Sequence, residues 1–511
     1  MEASGSAAAR LGPADLGPAF RRVFRDHRFV VVSNREPYEH VWDEQQESIE
    51  VRQPAGGLTS ALDPLMQAVG GFWVAWGSGD ADAEVVDERQ CVRLPPDDPS
   101  YSLRRLWLSE PDINQYYYGY ANQFLWPLCH LRPALTRVRQ RYWDRYRDVN
   151  RRFADAALEV AGEKGAAIWF QDYHLALAPG FLREAGGDHT LAHFWHIPWP
   201  PLEIFRVAST GPELLEGLLA NDLLGFHLPL FCDNFLRCAE SMLHARVDWD
   251  RRAVEHRGRV CYVRALPISV DVAAFQAAAN NDSQVARAHA RYAPEGGVLG
   301  IGVDRIDYSK GLEEKLAALD LVWERHPEFR ERFSYLQIGV PSRTGIDAYD
   351  WLNEKVDRMA WSINDRYGTA TWKPVHLLKD SLPWERLAVL YRAADLCIVS
   401  SLQDGMNLVA KEYVASQGGT AGVLVLSKFA GAAEELDGSI EANPYDVESF
   451  AASIVEALLM PEAERHERLH RLRGSLRTIY DWLAEVFTVW GAVARGDAAP
   501  LSAADRWDRI R

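Results

Sequence analysis

Short, uniformly apolar runs alternate along the chain with longer stretches in which apolar residues recur every three or four positions. The first run, Phe29-Val-Val-Val-Ser33, is β-branched and apolar, as a strand covered on both faces of a parallel sheet must be. Runs of the same kind lie at 167–170, 191–196, 223–227, 260–266, 297–302, 335–339, 396–400 and 422–427. Helical periodicity fills most of the intervals, which predicts an α/β fold with parallel sheets. So many strands suit two sheets better than one, and 511 residues exceed what a single hydrophobic core accommodates.

The division between the two is expected at Ala265-Leu-Pro-Ile-Ser-Val-Asp271, where a strand runs through a proline toward the polar Asn280-Asn-Asp-Ser283. This sets a first domain at 28–270 and a second at 271–475, with disordered or tail segments at 1–27 and 495–511. Between 476 and 494, Ile479, Trp482, Leu483, Val486, Phe487 and Trp490 mark the apolar face of a helix. Open α/β sheets bind ligands beyond the carboxyl ends of their strands, so two such domains facing each other define a cleft lined by strand-end residues.

Charge narrows the ligand. With 72 acidic against 56 basic residues the net charge is −16, which argues against nucleic acid or an anionic membrane as partner. An anionic ligand must then be held by local Lys and Arg. Six scattered cysteines form no C-x-x-C pair, the usage of buried free thiols in a reducing cytosol, and no run approaches the roughly 20 apolar residues that span a bilayer. The N-terminus lacks a signal-peptide pattern, so a cytoplasmic location is expected.

The strand-end segments carry the candidate chemistry. Gly56-Gly57 ahead of a helical pattern reads either as a tight turn or as backbone amides brought close to a phosphate. In Gly302-Val-Asp-Arg-Ile-Asp-Tyr-Ser-Lys-Gly311, Arg305 and Lys310 either pair with Asp304 and Asp307 or serve a leaving diphosphate whose charge grows. In Ser401-Leu-Gln-Asp-Gly-Met-Asn-Leu-Val-Ala-Lys-Glu412, Asp404 precedes a turn allowed by Gly405, and Met406 to Leu408 offer amides at a helix start. Asp404 then reaches a sugar hydroxyl and Glu412 a ribose; the alternative is a helix cap plus an exposed helix charge. Asp172 and His174, and on the next strand His196, follow strand ends where a carboxylate can orient a hydroxyl and an imidazole can hydrogen-bond a sugar. Asp80-Ala-Asp82 has metal-site spacing but no third ligand nearby, and reads as solvated surface.

Ser33-Asn-Arg35, Gly56-Gly57, Trp169-Phe-Gln-Asp-Tyr-His174, His196-Ile-Pro198, Asp304-Arg-Ile-Asp-Tyr-Ser-Lys-Gly311 and Asp404-Gly-Met-Asn-Leu-Val-Ala-Lys-Glu412 together resemble the trehalose-6-phosphate synthase family, in order from about residue 29 to 490. The resemblance implies the GT-B fold: two Rossmann-like domains with parallel sheets facing across a cleft, the last helix crossing back to the first. It implies an enzyme that moves glucose from a nucleotide diphosphate glucose to glucose 6-phosphate, with retention, giving α,α-trehalose 6-phosphate. Arg305, Lys310 and Gly57 would hold the donor diphosphate, and Asp404 and His196 the donor sugar. Gly405, Met406, Asn407, Leu408, Val409 and Glu412 would bind nucleotide and ribose, and Leu382 would pack on the base. Arg35, Tyr117, Trp126 and Arg343 would bind the acceptor phosphate, and Asp172 would orient the acceptor hydroxyl.

No cofactor and no metal is implied; the substrates are small molecules, and a homo-oligomer is compatible with the pattern. Two departures stand out: the segment Glu36 to Glu50 is longer and more acidic than in well-known bacterial members, and Gln403 replaces an arginine common before Asp-Gly. Near relatives supply the alternatives of a glucosylglycerol-phosphate synthase or a cyclitol-joining pseudo-glycosyltransferase. A non-catalytic sugar-phosphate sensor would have lost some of Arg305, Lys310, Asp404 or Glu412, and all four are present.

Overall fold

A computed structural model describes residues 12–43, 47–53, 57–162, 164–343, 345–419, 421–498 and 500–507. The chain forms two compact units, Met1–Ile268 with Ile479–Arg511, and Ser269–Thr478. The sequence pattern set these divisions at 270/271 and 475/476, two and three residues away.

The first unit is built on a ten-stranded sheet whose members, read across, are Arg246–Asp248, Ala253–His256, Arg259–Ala265, Leu223–Phe226, Thr190–Phe194, Ala166–Gln171, Arg28–Arg35, Phe72–Trp76, Tyr101–Leu106 and Cys91–Leu94. From Arg259–Ala265 to Tyr101–Leu106 every neighbour is parallel, and antiparallel strands close both edges. Val30, Val31 and Val32 are fully buried in a central strand, as their unbroken β-branched run requires. After Arg28–Arg35 the chain winds toward Tyr101–Leu106; after Ala166–Gln171 it winds the other way. The order therefore reverses between these two strands, the point at which α/β sheets open a ligand crevice.

The second unit has six strands, all parallel, in the order Val375–Leu378, Phe333–Val340, Val298–Arg305, Leu396–Val399, Val423–Ser427, Ile440–Ala442. Counted along the chain this is 3-2-1-4-5-6, the Rossmann order, with its reversal between Val298–Arg305 and Leu396–Val399. All of the strands read from apolar runs are present. Short or edge strands such as Val375–Leu378 carry no comparable run, and Phe72-Trp-Val-Ala-Trp76 hides its strand behind three large aromatics.

Both expected tails are corrected within the described residues. Pro13–Phe24 is a helix with Leu16, Phe20 and Phe24 on one buried face. The Phe24 ring lies 4.8 Å from Trp490, and Phe20 lies 4.9 Å from Phe29 and 5.6 Å from Phe487. Spacing of four residues between apolar side chains outweighs the Ala, Gly and Pro content that suggested disorder. At the other end Ala503–Trp507 is helical, capped by reciprocal bonds between Ser502 and Asp505, and buried Asp505 pairs with Arg252. The helix Ile479–Ala494 lies in the first unit, where Trp482 Nε1 donates to the Leu266 carbonyl at 3.0 Å and Trp490 Nε1 to Thr190 Oγ1 at 2.9 Å.

Candidate active site

In the second unit the chain leaves Val298–Arg305 through one 3-10 turn, Tyr308–Lys310, into the helix Leu312–Arg325. Gly311 makes the turn at φ 63°, and a Cβ there would stand 2.1 Å from the Ser400 carbonyl oxygen, so only glycine lets the loop lie against the neighbouring strand end. Ser400 Oγ donates to the Lys310 carbonyl at 2.7 Å. That contact brings Lys310 Nζ to 2.5 Å from Asp404 Oδ2, with both side chains mostly buried. Asp404 also accepts from Ser401 Oγ at 3.0 Å and Asn407 Nδ2 at 3.1 Å. Arg305 is exposed at the strand end. The alternative pairing does not form for Lys310: Asp304 faces buried Lys315 at 2.7 Å, and Asp307 faces Arg343 at 3.0 Å.

The turn after Asp404 differs from the one expected. Asn407, not Gly405, takes the left-handed conformation at φ 80°, and its Oδ1 caps the helix Leu408–Ser416 by accepting from the Ala410 amide at 3.1 Å. The close packing here requires glycine at 431 instead, since a Cβ on Gly431 would meet the Gly405 carbonyl at 2.2 Å. Met406 is buried, and its carbonyl accepts from Ala432 N at 2.7 Å. Leu408 and Val409 sit in the first turn, where backbone amides have no partner within the helix and the helix end carries partial positive charge. Glu412, one turn on, is not an exposed helix charge. It is half-buried, Tyr391 Oη donates to it at 2.9 Å, and burial pushes its carboxyl up to about 7.

In the first unit Arg35 ends the central strand, and its Nη2 donates to Tyr117 Oη at 3.1 Å. Tyr117 belongs to a π-helix, Ile113–Leu125, a rare geometry often found at functional sites. Its ring stacks on His174 at 5.7 Å and lies 6.1 Å from Trp76. Asp172, just past Ala166–Gln171, is held at φ 68°, a strained backbone for a carboxylate residue. Its Oδ1 accepts from the His196 amide at 3.1 Å, which joins the ends of two adjacent strands. His196 Nε2 is 2.9 Å from Gln171 Oε1; burial, with His227 and His193 alongside, holds its imidazole well below the ordinary range and therefore neutral. Trp126 is buried, stacked on His130 at 4.0 Å and 5.8 Å from Tyr173. Gly57 opens the helix Gly57–Val69, while Gly56 lies outside the described residues.

Two further candidates are placed, and one expectation changes. Arg343 is buried at φ 52°, paired with Asp307 and hydrogen-bonded to Tyr349, rather than presented as an open cation. Leu382 lies half-buried in the loop after Val375–Leu378. Asp82 is wholly buried against Arg105 instead of solvated, because its carboxylate also accepts from the amides of His40 and Gly79. Two supports leave no trace in the sequence: Tyr391 and Gln171 are ordinary in local pattern and meet their partners only in the fold, while Asp307, a candidate partner of Arg305 and Lys310, pairs with Arg343 instead. Asn407 alone left a signal, as a cap residue two positions after Gly405.

Each unit thus gathers polar side chains where its strand order reverses, Lys310 with Asp404 in one and Arg35, Tyr117, Asp172 and neutral His196 in the other. The model of glycosyltransferase family 20 matches residues 27–489. The trehalose-6-phosphate synthase of Mycobacterium marinum is 36% identical over 517 residues, covering 97% of this chain and 99% of the relative. The E. coli structure bound with UDP-2-fluoro glucose superposes with a TM-score of 0.80 at 32% identity, covering 91% of this chain and 99% of that one. A UDP-forming α,α-trehalose-phosphate synthase from Burkholderia xenovorans in complex with glucose-6-phosphate gives 0.78 at 31% identity, covering 89% and 98%. This chain belongs to glycosyltransferase family 20.

Proposed function

We propose that the chain transfers glucose from UDP-glucose to glucose 6-phosphate, with retention, releasing UDP and forming α,α-trehalose 6-phosphate. The observation that carries this reading is the Lys310–Asp404 pair at the switch point of the second unit's sheet, 2.5 Å between Nζ and Oδ2. The carboxylate fixes the lysine ammonium where a diphosphate departs, and is itself placed to accept from a sugar hydroxyl. Arg305 shares the diphosphate, and Gly57, at the amide end of Gly57–Val69, is a further diphosphate contact. The amides of Leu408 and Val409, with Glu412, take the nucleoside and ribose, while Gly405, Met406 and Asn407 shape the turn and Leu382 meets the base.

Arg35 and Tyr117 take the acceptor phosphate. Trp126 backs that site, and Arg343 joins it by exchanging Asp307 for the phosphate. Asp172 orients the acceptor hydroxyl and neutral His196 hydrogen-bonds the donor sugar. The acceptor oxygen forms its bond to the anomeric carbon on the face from which the diphosphate oxygen leaves, and the acceptor proton passes to that leaving oxygen. Catalysis on this account is positioning and charge stabilisation, with no protein nucleophile. The reaction draws on no metal or cofactor, and the free thiols, all buried but that of Cys91, suit a cytoplasmic enzyme.

The test crosses UDP-, GDP- and ADP-glucose with glucose 6-phosphate, glycerol 3-phosphate and phosphate-free glucose, following nucleoside diphosphate release. Release with UDP-glucose and glucose 6-phosphate is expected. Turnover with glycerol 3-phosphate alone would move the chain to the glucosylglycerol-phosphate reading.

A further inference from the structure

Immediately after Arg35 the chain enters a buried polar cluster that the transfer reaction leaves unused. Arg105, with no exposed surface, reaches from Tyr101–Leu106 to the segment 36–40 and to the turn 77–82. Its Nε lies 2.7 Å from Glu36 Oε2, and its Nη2 lies 2.7 Å from Asp82 Oδ1, 2.8 Å from His40 Nδ1 and 3.0 Å from the Tyr38 carbonyl. The other Glu36 oxygen accepts from the Ser78 amide at 2.7 Å, and Ser78 Oγ donates onward to Glu39 at 3.0 Å. Glu39 is close enough to Arg35 to act on its charge. Asp82 accepts from the amides of His40 and Gly79, and a Cβ on Gly79 would strike the His40 carbonyl at 2.3 Å. Two backbone segments are thus locked around one guanidinium, and a two-stranded hairpin, Glu39–Asp43 with Ser48–Arg52, springs directly from the lock.

A buried guanidinium facing two carboxylates is one proton short of neutral. Burial and the neighbouring Asp82 push Glu36 up to about 8, whereas hydrogen bonds from His40 and Glu36 hold Asp82 below its ordinary range despite burial. A fully satisfied network of this kind specifies one backbone arrangement, because a broken member leaves a buried charge without a partner.

We infer that Arg105 and Glu36 are positioning residues for the acceptor site: through Ser78 they hold Glu39 off the Arg35 guanidinium and fix the backbone on which Arg35 stands. The inference rests on the reading of Arg35 as the acceptor-phosphate residue. It also gives the long acidic segment a function, since the hairpin is anchored beside that arginine rather than appended to the surface.

Glu36→Gln is the discriminating variant. Even while it holds a proton, Glu36 turns a lone pair of each oxygen to a donor, Arg105 on one side and the Ser78 amide on the other, whereas the NH2 group of an amide can accept from neither. The expected result is a KM for glucose 6-phosphate raised about tenfold, with kcat and the donor KM near wild type. Ser78→Ala, which leaves the buried charges paired, should raise the same KM in the same direction and decides the matter if Glu36→Gln does not fold. Arg35→Gln serves as the control and should raise the acceptor KM at least as much. Arg35→Gln impaired with both Glu36→Gln and Ser78→Ala normal would overturn the inference alone. Equal losses in kcat and both KM values would reduce the cluster to a structural part and overturn it too. Arg35→Gln without effect would overturn the acceptor reading and the inference with it.

Discussion

Lys310 and Asp404 lie 94 residues apart in sequence and 2.5 Å apart in space. Each is conspicuous locally, because each follows an apolar strand and adjoins a glycine; their contact depends on which strand neighbours which. If Lys310 stabilises the departing diphosphate, Lys310→Ala should lower kcat by roughly 10²–10³-fold while the acceptor KM changes little. Steady-state kinetics against both substrates checks this, and an equal loss in the two parameters would detach Lys310 from the leaving group. Glu412 offers a second test through its raised carboxyl, up to about 7 from an ordinary 4.5. The folded state binds this proton more tightly than the unfolded chain does, so its stabilisation is complete below about 4.5 and is lost as pH rises through about 7. The Tm of the wild type should therefore fall relative to Glu412→Gln across that window; parallel profiles would show the carboxyl is not perturbed.

Elements were legible where their pattern was local and uniform. Val30 to Val32 announce a buried strand, and Ile479 to Trp490 a helix face, because burial on two sides or on one stripe leaves a periodic trace. The π-helix Ile113–Leu125 left none: its run of Tyr116, Tyr117, Tyr118 and Tyr120 satisfies several periods equally well, and Gly119 lies under the Tyr142 ring, where a Cβ would stand 2.8 Å away. The N-terminal helix was missed for the opposite reason, since composition overshadowed the spacing of Leu16, Phe20 and Phe24. Its packing is substantial, so Phe24→Ala should cost about 3–5 kcal/mol of unfolding free energy. Urea denaturation reads that loss, and an unchanged midpoint would mean the helix only decorates the surface.

At the scale of the molecule, the chain builds the first unit, leaves it for the whole of the second, and returns with Ile479–Ala494. Each unit carries its chemistry where its strand order reverses, a consequence of topology that no single motif encodes. The sequence made the two α/β halves and the strand-end segments with Lys310 and Asp404 readable. It could not reveal that Arg343 is engaged by Asp307 or that Asp82 is buried, because both are tertiary pairings. A net charge of −16 leaves anion recognition to a few placed cations, and on the proposed function these are Arg35, Arg305 and Lys310.

The central claim is the transfer itself, and proton NMR of the product tests it most directly. With UDP-glucose and glucose 6-phosphate, two α-configured anomeric protons should appear, belonging to a non-reducing phosphorylated disaccharide, in step with UDP release. Free glucose in place of that disaccharide, or a β-linked product, would contradict the account.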